Sequence, residues 1–296
     1  MRSVLLDTNT VKNPAQRTRA PGEGRHEGGR QSKAGMRTKF TESEVVDSQT
    51  SAPKVVCLLD VLGFEMRLRT LGLTALKAKY DQLIDYVKRK RHGFDLVSTP
   101  DGHLALGVGT SGYAYFSDSL LFWQSYFPPA FSGFAREIAE AICVGLELEL
   151  PLRGAIAIGE AVLDEDKGVF VGAPLIEVSR IEKIQRWIGA SFGPSFNDQR
   201  FSRYDPQTVF PYEKHYKKED QGKPIPREWM TGITIDWPRR WRETRQSSPH
   251  DTIERLRDDE HGEIYDAAEA FVAESGAHND WFLDRMYPSP AAWGTP

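Results

Sequence analysis

The chain has 296 residues, of which 40% are hydrophobic and 27% are charged, and its formal net charge at pH 7 is −4. This composition is typical of a soluble globular protein, and the negative charge argues against a general nucleic-acid binder. No apolar run approaches the roughly 18–20 residues of a membrane-spanning helix, and the N-terminus lacks the apolar core of a secretion signal. The two cysteines, Cys57 and Cys143, lie among apolar residues and are predicted to be buried thiols. We therefore expect a cytoplasmic protein that binds neither membrane nor nucleic acid.

The first fifty residues are predicted to form a disordered tail. Residues 13–39 are rich in Gly, Arg, Pro and Ser and contain few large apolar side chains. Such a segment cannot offset the conformational entropy that it would lose on folding. The folded part of the chain is therefore expected to begin near residue 51.

Residues 54–69 predict a strand, a turn and a helix. The apolar run VVCLL ends at Asp60, as in an interior strand that is covered on both faces. Gly63 marks a tight turn before the helix, whose first backbone N–H groups favour anions. Two interpretations of Asp60 follow. It binds a divalent metal that carries a polyphosphate over the turn, or its side chain caps the helix.

The next segments predict two helices and a hairpin. Helical periodicity covers residues 66–91, and residues 92–111 are predicted to be a glycine-rich loop whose GVG lies outside a strand-to-helix context. Residues 113–124 predict a hairpin, because aromatic and apolar residues flank the turn sequence SDS. A second helix is predicted over residues 131–148.

The middle of the chain completes the predicted core. Residues 152–163 predict a strand with small residues at Gly154, Ala155 and Ala157, so another element is expected to pack closely against it. A short strand over residues 169–171 is followed by a helix over residues 175–187, which Pro174 opens. The order β-α-β-β-α-β-β-α predicts an α+β protein with a ferredoxin-like core around one antiparallel sheet.

Weaker signals follow beyond residue 200. Residues 233–237 predict an edge strand that ends at Pro238, and residues 248–256 and 263–273 predict helices, the first capped by Ser248 or Asp251. Tryptophans at this density usually anchor an extension onto a core. Those in this third of the chain are Trp229, Trp237, Trp241, Trp281 and Trp293.

Asp60 and Asp118 are the candidate metal ligands. In a ferredoxin-like sheet the first strand is central and neighbours the hairpin, so both carboxylates are expected to reach the same edge of the sheet. Two carboxylates there suit two Mg²⁺ or Mn²⁺ ions, which would polarise a phosphoryl group and activate an attacking oxygen. The alternative for Asp118 is local, because Asp is favoured in turns for its hydrogen bonds to the backbone.

Three motifs over residues 55–189 resemble the class III nucleotidyl cyclases. They are LLDVLGF around Asp60, AYFSDSLLF around Asp118, and LPLRGAIAIGEAV followed by VFVGAPLIEVSRIE. Each motif is short, but their order and spacing together are more specific. The resemblance implies a cyclase catalytic domain over residues 51–200 and a Trp-rich C-terminal extension over residues 201–296.

The resemblance also implies a role for each matching residue. Asp60, Asp118 and the backbone carbonyl of Val61 would bind two divalent cations, Mn²⁺ or Mg²⁺. Arg180 matches the arginine that stabilises the transition state by offsetting charge at the α-phosphate. Arg153 is a second cation, with an expected structural role. The residues that match the turn around the triphosphate are Val61, Leu62, Gly63 and Phe64.

Three departures from the adenylate cyclase pattern argue against ATP as the substrate. Ala114 stands in place of the lysine that selects adenine, Val169 in place of its partner acid, and Ile176 in place of an asparagine. An adenine edge would find neither donor nor acceptor there, although polar contacts provide most discrimination between bases. Tyr113 and Tyr115 would instead shape a smaller base pocket, unless they are ordinary strand aromatics.

This pattern is similar to the pyrimidine cyclases of the bacterial Pycsar antiphage systems. That similarity implies conversion of UTP, or in second place CTP, into a 3′,5′-cyclic monophosphate that acts as a second messenger in antiphage defence. It also implies a homodimer with composite active sites, in which one subunit supplies the acids and the other supplies Arg180, and a separate effector protein that binds the product. Uracil and cytosine differ by the exchange of one hydrogen-bond donor for an acceptor. The sequence therefore leaves the choice between UTP and CTP open. A purine cyclase and a catalytically silent nucleotide-binding module remain alternatives, whereas a diguanylate cyclase is disfavoured because the hairpin reads FSDS and not GG[DE]EF.

Overall fold

The structure, a computed structural model, describes residues 53–90, 94–98, 104–108, 112–126, 128–197, 208–258 and 260–277, and its centre is a sheet of seven strands. The predicted tail over residues 1–50 lies outside the described residues, as do Trp281 and Trp293. In the part of the chain that is described, no helix is long and apolar enough to cross a membrane.

In the first half of the chain, the described residues form three helices and five strands. In order they are β1 (Lys54–Val61), α1 (Phe64–Leu71), α2 (Leu73–Lys90), β2 (Phe94–Ser98), β3 (Leu104–Val108), β4 (Gly112–Phe116), β5 (Ser119–Ser125) and α3 (Pro128–Glu147).

The described residues of the second half add eight strands and four helices. They are β6 (Leu152–Gly159), β7 (Ala161–Asp164), β8 (Val169–Gly172), α4 (Ala173–Lys183), β9 (Gly189–Phe192), β10 (Val209–Pro211), β11 (Glu219–Asp220), β12 (Lys223–Pro224), β13 (Ile233–Ile235), α5 (Trp237–Thr244), α6 (Pro249–Leu256) and α7 (Gly262–Ala277). Single 3₁₀ turns cover Pro194–Asn197 and Arg227–Trp229.

The main sheet is mixed and mostly antiparallel. Its strand order is β10-β13-β9-β6-β1-β5-β4. The strand β1 pairs antiparallel with both β5 and β6, and β6 pairs in parallel with β9. The predicted α+β class and the central position of the first strand are therefore confirmed.

Successive side chains of β1 pack alternately into two hydrophobic clusters, one on each face of the sheet. Cys57 and Leu59 belong to the cluster formed with α2 and α3, which includes Ile142. Val56 belongs to the cluster on the other face, where α4 contributes Val178. Both faces are covered, which explains the unbroken apolar run in this strand. Cys57 and Cys143 are buried free thiols, as predicted.

Small residues in β6 allow a close approach between strands. A Cβ atom on Gly154 would lie 1.9 Å from the carbonyl oxygen of Leu58 in β1. No side chain fits at that distance, so glycine is required there. The expected close packing against this strand is thus confirmed.

Several predicted boundaries are corrected. The glycine-rich segment predicted as a loop over residues 92–111 contains the antiparallel pair β2–β3. The helix predicted over residues 66–91 is two helices, because Gly72 adopts φ 77° and ends the first one. The strand predicted over residues 152–163 is divided into β6 and β7, and the helix predicted to residue 187 ends at Lys183.

The C-terminal third continues the sheet and covers one side of it. The strand predicted at an edge, β13, lies between β9 and β10, and Pro238 lies in the first turn of α5 and not at the end of a strand. The side chain of Ser248 caps α6 as predicted, accepting a hydrogen bond from the backbone N–H of His250. Trp237 and Trp241 are buried in the main cluster, as expected of anchoring residues.

Candidate metal-binding site

The β4–β5 hairpin places Asp118 beside the end of β1. Asp60 stands opposite Ser119 in the sheet, and the backbone N–H of Val61 donates a hydrogen bond to the carbonyl oxygen of Asp118 at 2.9 Å. Ser117 adopts φ 56°, which closes the tight turn that contains Asp118. Strand pairing therefore brings both predicted carboxylates to one edge of the sheet.

The surroundings of Asp60 disfavour its charged form. Burial is the main cause that raises the pKa of this carboxyl, to about 6, and the negative charges of Asp118 and Glu182 raise it further. A hydrogen bond from the Ser119 hydroxyl to Asp60 Oδ1, at 2.9 Å, and the positive charge of Arg153 act in the opposite direction. A cation between the two carboxylates would offset their repulsion.

The turn after Asp60 is shaped by its backbone. The N–H of Leu62 donates to the carbonyl oxygen of Pro151 at 2.9 Å, and Gly63 adopts φ 65° at the N-cap of α1. No side chain caps this helix. The interpretation of Asp60 as a helix cap is therefore wrong, and its carboxylate accepts a hydrogen bond from Ser119 instead.

The donor set fits a divalent cation that keeps several exchangeable ligands. Among the described residues, no group of three or more His, Cys, Asp or Glu side chains is placed to hold a metal ion. Two carboxylates with one backbone carbonyl, from Val61, are what Mg²⁺ commonly uses when phosphates and water complete its coordination. The site thus suits a metal ion that arrives with a phosphorylated ligand.

Arg153 is fixed beside Asp60 by an acid that the sequence did not single out. It stands opposite Asp60 in β6, and its Nε donates to Glu182 Oε1 at 2.8 Å. A second nitrogen of the same guanidinium also reaches this oxygen, and Nη1 donates to the carbonyl of Gln185 at 3.3 Å. These bonds fit the structural role expected of Arg153.

Arg180 lies on the exposed side of α4. Its guanidinium carbon is 5.9 Å from the centre of the Trp229 ring. Glu182, two residues further along the helix, is buried and faces Arg153 and Asp60. Two helical positions differ by about 200° around the axis, so α4 directs Glu182, and not Arg180, toward the carboxylates.

The two tyrosines of β4 lie on the other face of the sheet from Asp60. Tyr113 pairs with Phe122 and packs in the cluster of α2 and α3, whereas Ala114 packs in the cluster of α4. Strand side chains alternate, so Tyr115 shares the face of Tyr113. The structure therefore brings Ala114, but neither tyrosine, to the face that carries Asp60.

The remaining predicted residues are divided between the turn and the exposed surface. Leu62 is buried, and Phe64 packs edge-on against Tyr80 with ring centres 6.4 Å apart. Val169 and Ile176, which the resemblance matches to an adenine-reading acid and to an asparagine, are 41% and 57% exposed.

Sequence reasoning missed a buried link between this turn and the C-terminal third. Arg67, 6% exposed, donates from Nε to the carbonyl of Leu62 at 3.1 Å and from Nη2 to the hydroxyl of Tyr265 at 3.2 Å. The hydroxyl of Tyr265 donates to Asp258 at 3.1 Å. The sequence around an arginine in an amphipathic helix does not indicate a hydrogen-bond partner almost 200 residues away.

Comparison of the sequence with protein-family models and with curated proteins finds no match. The resemblance to nucleotidyl cyclases therefore rests on the motifs around Asp60, Asp118 and Arg180 and stays a prediction.

Proposed function

We propose that the protein is a nucleotidyl cyclase that converts a pyrimidine nucleoside triphosphate, UTP in preference to CTP, into the 3′,5′-cyclic monophosphate and pyrophosphate. The observation that carries the proposal is the juxtaposition of Asp60 and Asp118 at the end of the central strand, beside a turn with a positive-φ glycine. The order β6-β1-β5-β4, with β1 antiparallel to both neighbours, supports a ferredoxin-like core. The cyclic product would be a second messenger for a separate effector protein in antiphage defence.

In the proposed reaction the ribose 3′-oxygen bonds to the α-phosphorus and the bond from that phosphorus to the bridging oxygen breaks. Pyrophosphate leaves, and the hydroxyl proton passes to solvent. Divalent cations, Mn²⁺ or Mg²⁺, would lower the pKa of the ribose 3′-hydroxyl, and their positive charge would offset the negative charge of the phosphates.

The chain's own residues would mainly position these groups. Asp60 and Asp118 would hold the cations, and the Ser119 hydroxyl keeps the Asp60 carboxylate in one orientation. Backbone N–H groups after Gly63 would orient the phosphates at the start of α1. Ring closure joins two parts of one molecule, so correct orientation provides most of the rate enhancement.

The proposal that the substrate is not ATP is supported by the face that carries Asp60, and the choice of a pyrimidine rests on the resemblance. Ala114 lies on that face and offers no polar group to a purine edge. A pocket without a donor or acceptor at this position cannot select adenine by hydrogen bonding. Incubation with each nucleoside triphosphate separately distinguishes UTP from CTP as the substrate.

An exposed apolar surface supports the proposed homodimer. Its members are between 41% and 57% exposed, and such surfaces commonly mark interfaces. They are Phe116 in β4, Val162, Val169 and Val171 in the β7–β8 hairpin, and Ile176 in α4. Phe170 of the hairpin contacts Phe116, with ring centres 6.2 Å apart, so strand and hairpin form one surface. Arg180 would then act on the site of the partner subunit.

Incubation of the purified protein with Mn²⁺ and each of the four nucleoside triphosphates tests the proposal. Chromatography of the products should show cyclic UMP as the main product, with pyrophosphate in equal amount. Asp118→Asn should abolish both products, whereas Asp81→Asn, which removes an exposed acid paired with Lys77, should not. Failure to cyclise any of the four nucleotides would overturn the proposal.

A catalytically silent module that binds nucleotides is the second candidate. Two observations favour it: Ile176 stands where the resemblance expects an asparagine, and the Arg180 guanidinium already lies against Trp229. This candidate predicts that UTP binds in the presence of Mn²⁺ and that no product forms.

A further inference from the structure

A cleft of about 670 Å³ lies between the core sheet and the first turn of α7. Arg153, Arg186 and Lys217 line its core side. The opposite side is lined by His261 and by the acids Glu260, Glu263 and Asp266. Arg186 and Lys217 have no role in the proposed cyclisation reaction.

The three cations on the core side are held close together. The backbone N–H of Arg186 donates to the carbonyl of His215, and that of Lys217 donates to the carbonyl of Ile184, both at 2.8 Å. These bonds fix the two segments side by side. Burial lowers the pKa of Lys217, and the charges of Arg153 and Arg186 lower it further. Like charges that are held together and partly desolvated favour the binding of a polyanion.

Two of the three acids on the opposite side, Glu263 and Asp266, compete only weakly for these cations. Glu263 pairs with Arg186, but the two side chains are 73% and 50% exposed, and exposed ion pairs contribute little to stability. Asp266 is engaged by Arg257 at 2.7 Å. A ligand with several negative charges would therefore replace the Glu263 carboxylate at Arg186.

Arg153 is the residue that connects the cleft with the candidate metal-binding site. It lines the cleft and stands opposite Asp60 in the sheet. Its bonds to Glu182 and Gln185 hold the guanidinium in place. One side of the cleft is therefore formed by a residue that also neighbours Asp60.

We propose that the cleft binds a diphosphate group through Arg186 and Lys217, with Arg153 completing the site on the side of Asp60. Cations on several sides of one cavity suit two linked phosphates, whose oxygens accept charge-assisted hydrogen bonds in several directions. The diphosphate is the tail of a nucleotide held at Asp60 and Asp118, an assignment that rests on the proposed function, or part of a separate phosphorylated ligand.

Calorimetric titration with inorganic pyrophosphate tests the site. A chelator is included so that no metal can link pyrophosphate to Asp60 and Asp118. The double variant Arg186→Gln/Lys217→Gln should bind at least about tenfold more weakly than the wild type, because it loses two charge-assisted contacts. Lys77→Gln, which removes an exposed lysine paired with Asp81, is the matched control and should bind as the wild type does.

A gain of affinity separates this proposal from a folding defect. Glu263→Gln removes the carboxylate that competes for Arg186 and should bind pyrophosphate several-fold more tightly. Absence of pyrophosphate binding by the wild type, or equal affinity in the double variant, would overturn the proposal.

The affinity of the double variant for UTP in the presence of Mn²⁺ identifies the source of the diphosphate. A loss of UTP affinity of about tenfold relative to the wild type assigns the tail of the bound nucleotide, and an unchanged UTP affinity assigns a separate ligand. Either result supports the site once the metal-free titration shows binding. The titration requires no turnover. If the protein binds pyrophosphate in the cleft but forms no cyclic nucleotide, the diphosphate site is supported and the proposed function is contradicted.

Discussion

Arg67 in the first helix donates a hydrogen bond to the hydroxyl of Tyr265 in α7 at 3.2 Å, across 198 residues of sequence. The same guanidinium donates to the carbonyl of Leu62 at 3.1 Å. The C-terminal third thereby holds the turn that follows Asp60. We infer that this part of the chain stabilises the candidate metal-binding site as well as covering the sheet.

Replacement of the Tyr265 hydroxyl should weaken this link. Tyr265→Phe removes the partner of Arg67 Nη2 and the donor to Asp258, so the free energy of unfolding should fall by about 1–2 kcal/mol. The affinity for Mn²⁺ should fall with it. Urea denaturation and metal titration measure the two effects. Tyr115→Phe, at a residue 50% exposed, is the matched control; equal stability of the two variants would contradict the link.

Gly63 is required by the conformation of the turn. Its φ of 65° is unfavourable for residues with a Cβ, so Gly63→Ala should lower the free energy of unfolding by about 1–2 kcal/mol. Gly168, with φ 64° in the β7–β8 turn, provides a control with similar backbone strain. Both variants should be destabilised, but only Gly63→Ala should lose Mn²⁺ affinity. Unchanged Mn²⁺ binding by Gly63→Ala would argue against a metal at this turn.

The proposed composite active sites make a prediction about mixed subunits. Asp118→Asn and Arg180→Ala should each be inactive alone, because each lacks one half of every site. Mixed after reversible dissociation, they should recover about one quarter of the wild-type activity, since half of the dimers are mixed and each contains one intact site. Activity that stays absent in dimers verified by mass measurement would show that both residues are required from one subunit.

His215 should make stability depend on pH. The residue is 1% exposed, its Nε2 lies 2.6 Å from the Ser191 hydroxyl, and its ring stacks 4.1 Å from Trp187. Burial holds its pKa well below 6.5 in the folded state. When the pH falls below 6.5, the imidazole of His215 takes up a proton in the unfolded chain but not in the folded one. The free energy of unfolding is therefore retained above pH 6.5 and falls as the pH decreases below it.

The loss should approach about 1.4 kcal/mol per pH unit in the acidic range. Chemical denaturation between pH 7 and pH 5 should therefore show a steeper decline for the wild type than for His215→Gln. His250→Gln, at an exposed position, should behave as the wild type. Parallel curves for the wild type and His215→Gln would contradict the prediction.

Much of the core could be predicted because its signals are local. The apolar run before Asp60 can only be accommodated by a strand covered on both faces, and the SDS turn fixed the hairpin that contains Asp118. Once the hairpin neighbours the central strand, the two acids must share one edge, and the structure places them there. The helix break at Gly72 was missed because the apolar periodicity continues across it.

The rest depended on contacts that a sequence does not display. Glu182 beside Arg153, and Tyr265 beside Arg67, become partners only after distant elements are packed. The faces of Tyr113 and Tyr115 depend on strand register, and a shift of one residue would reverse them. The strand predicted over residues 233–237 was assigned to an edge because nothing local indicates that β10 pairs with its other side.

The pairing of β9 with β13 sets a limit on truncation. A fragment that stops at residue 200 would leave β9 without the strand that pairs with it at Ser191, next to apolar surface that α5 and α7 cover in the full chain. Open strands of this kind recruit other chains. Self-association is therefore the expected fate of an isolated N-terminal fragment, and any soluble minimal version must retain the last strands and helices.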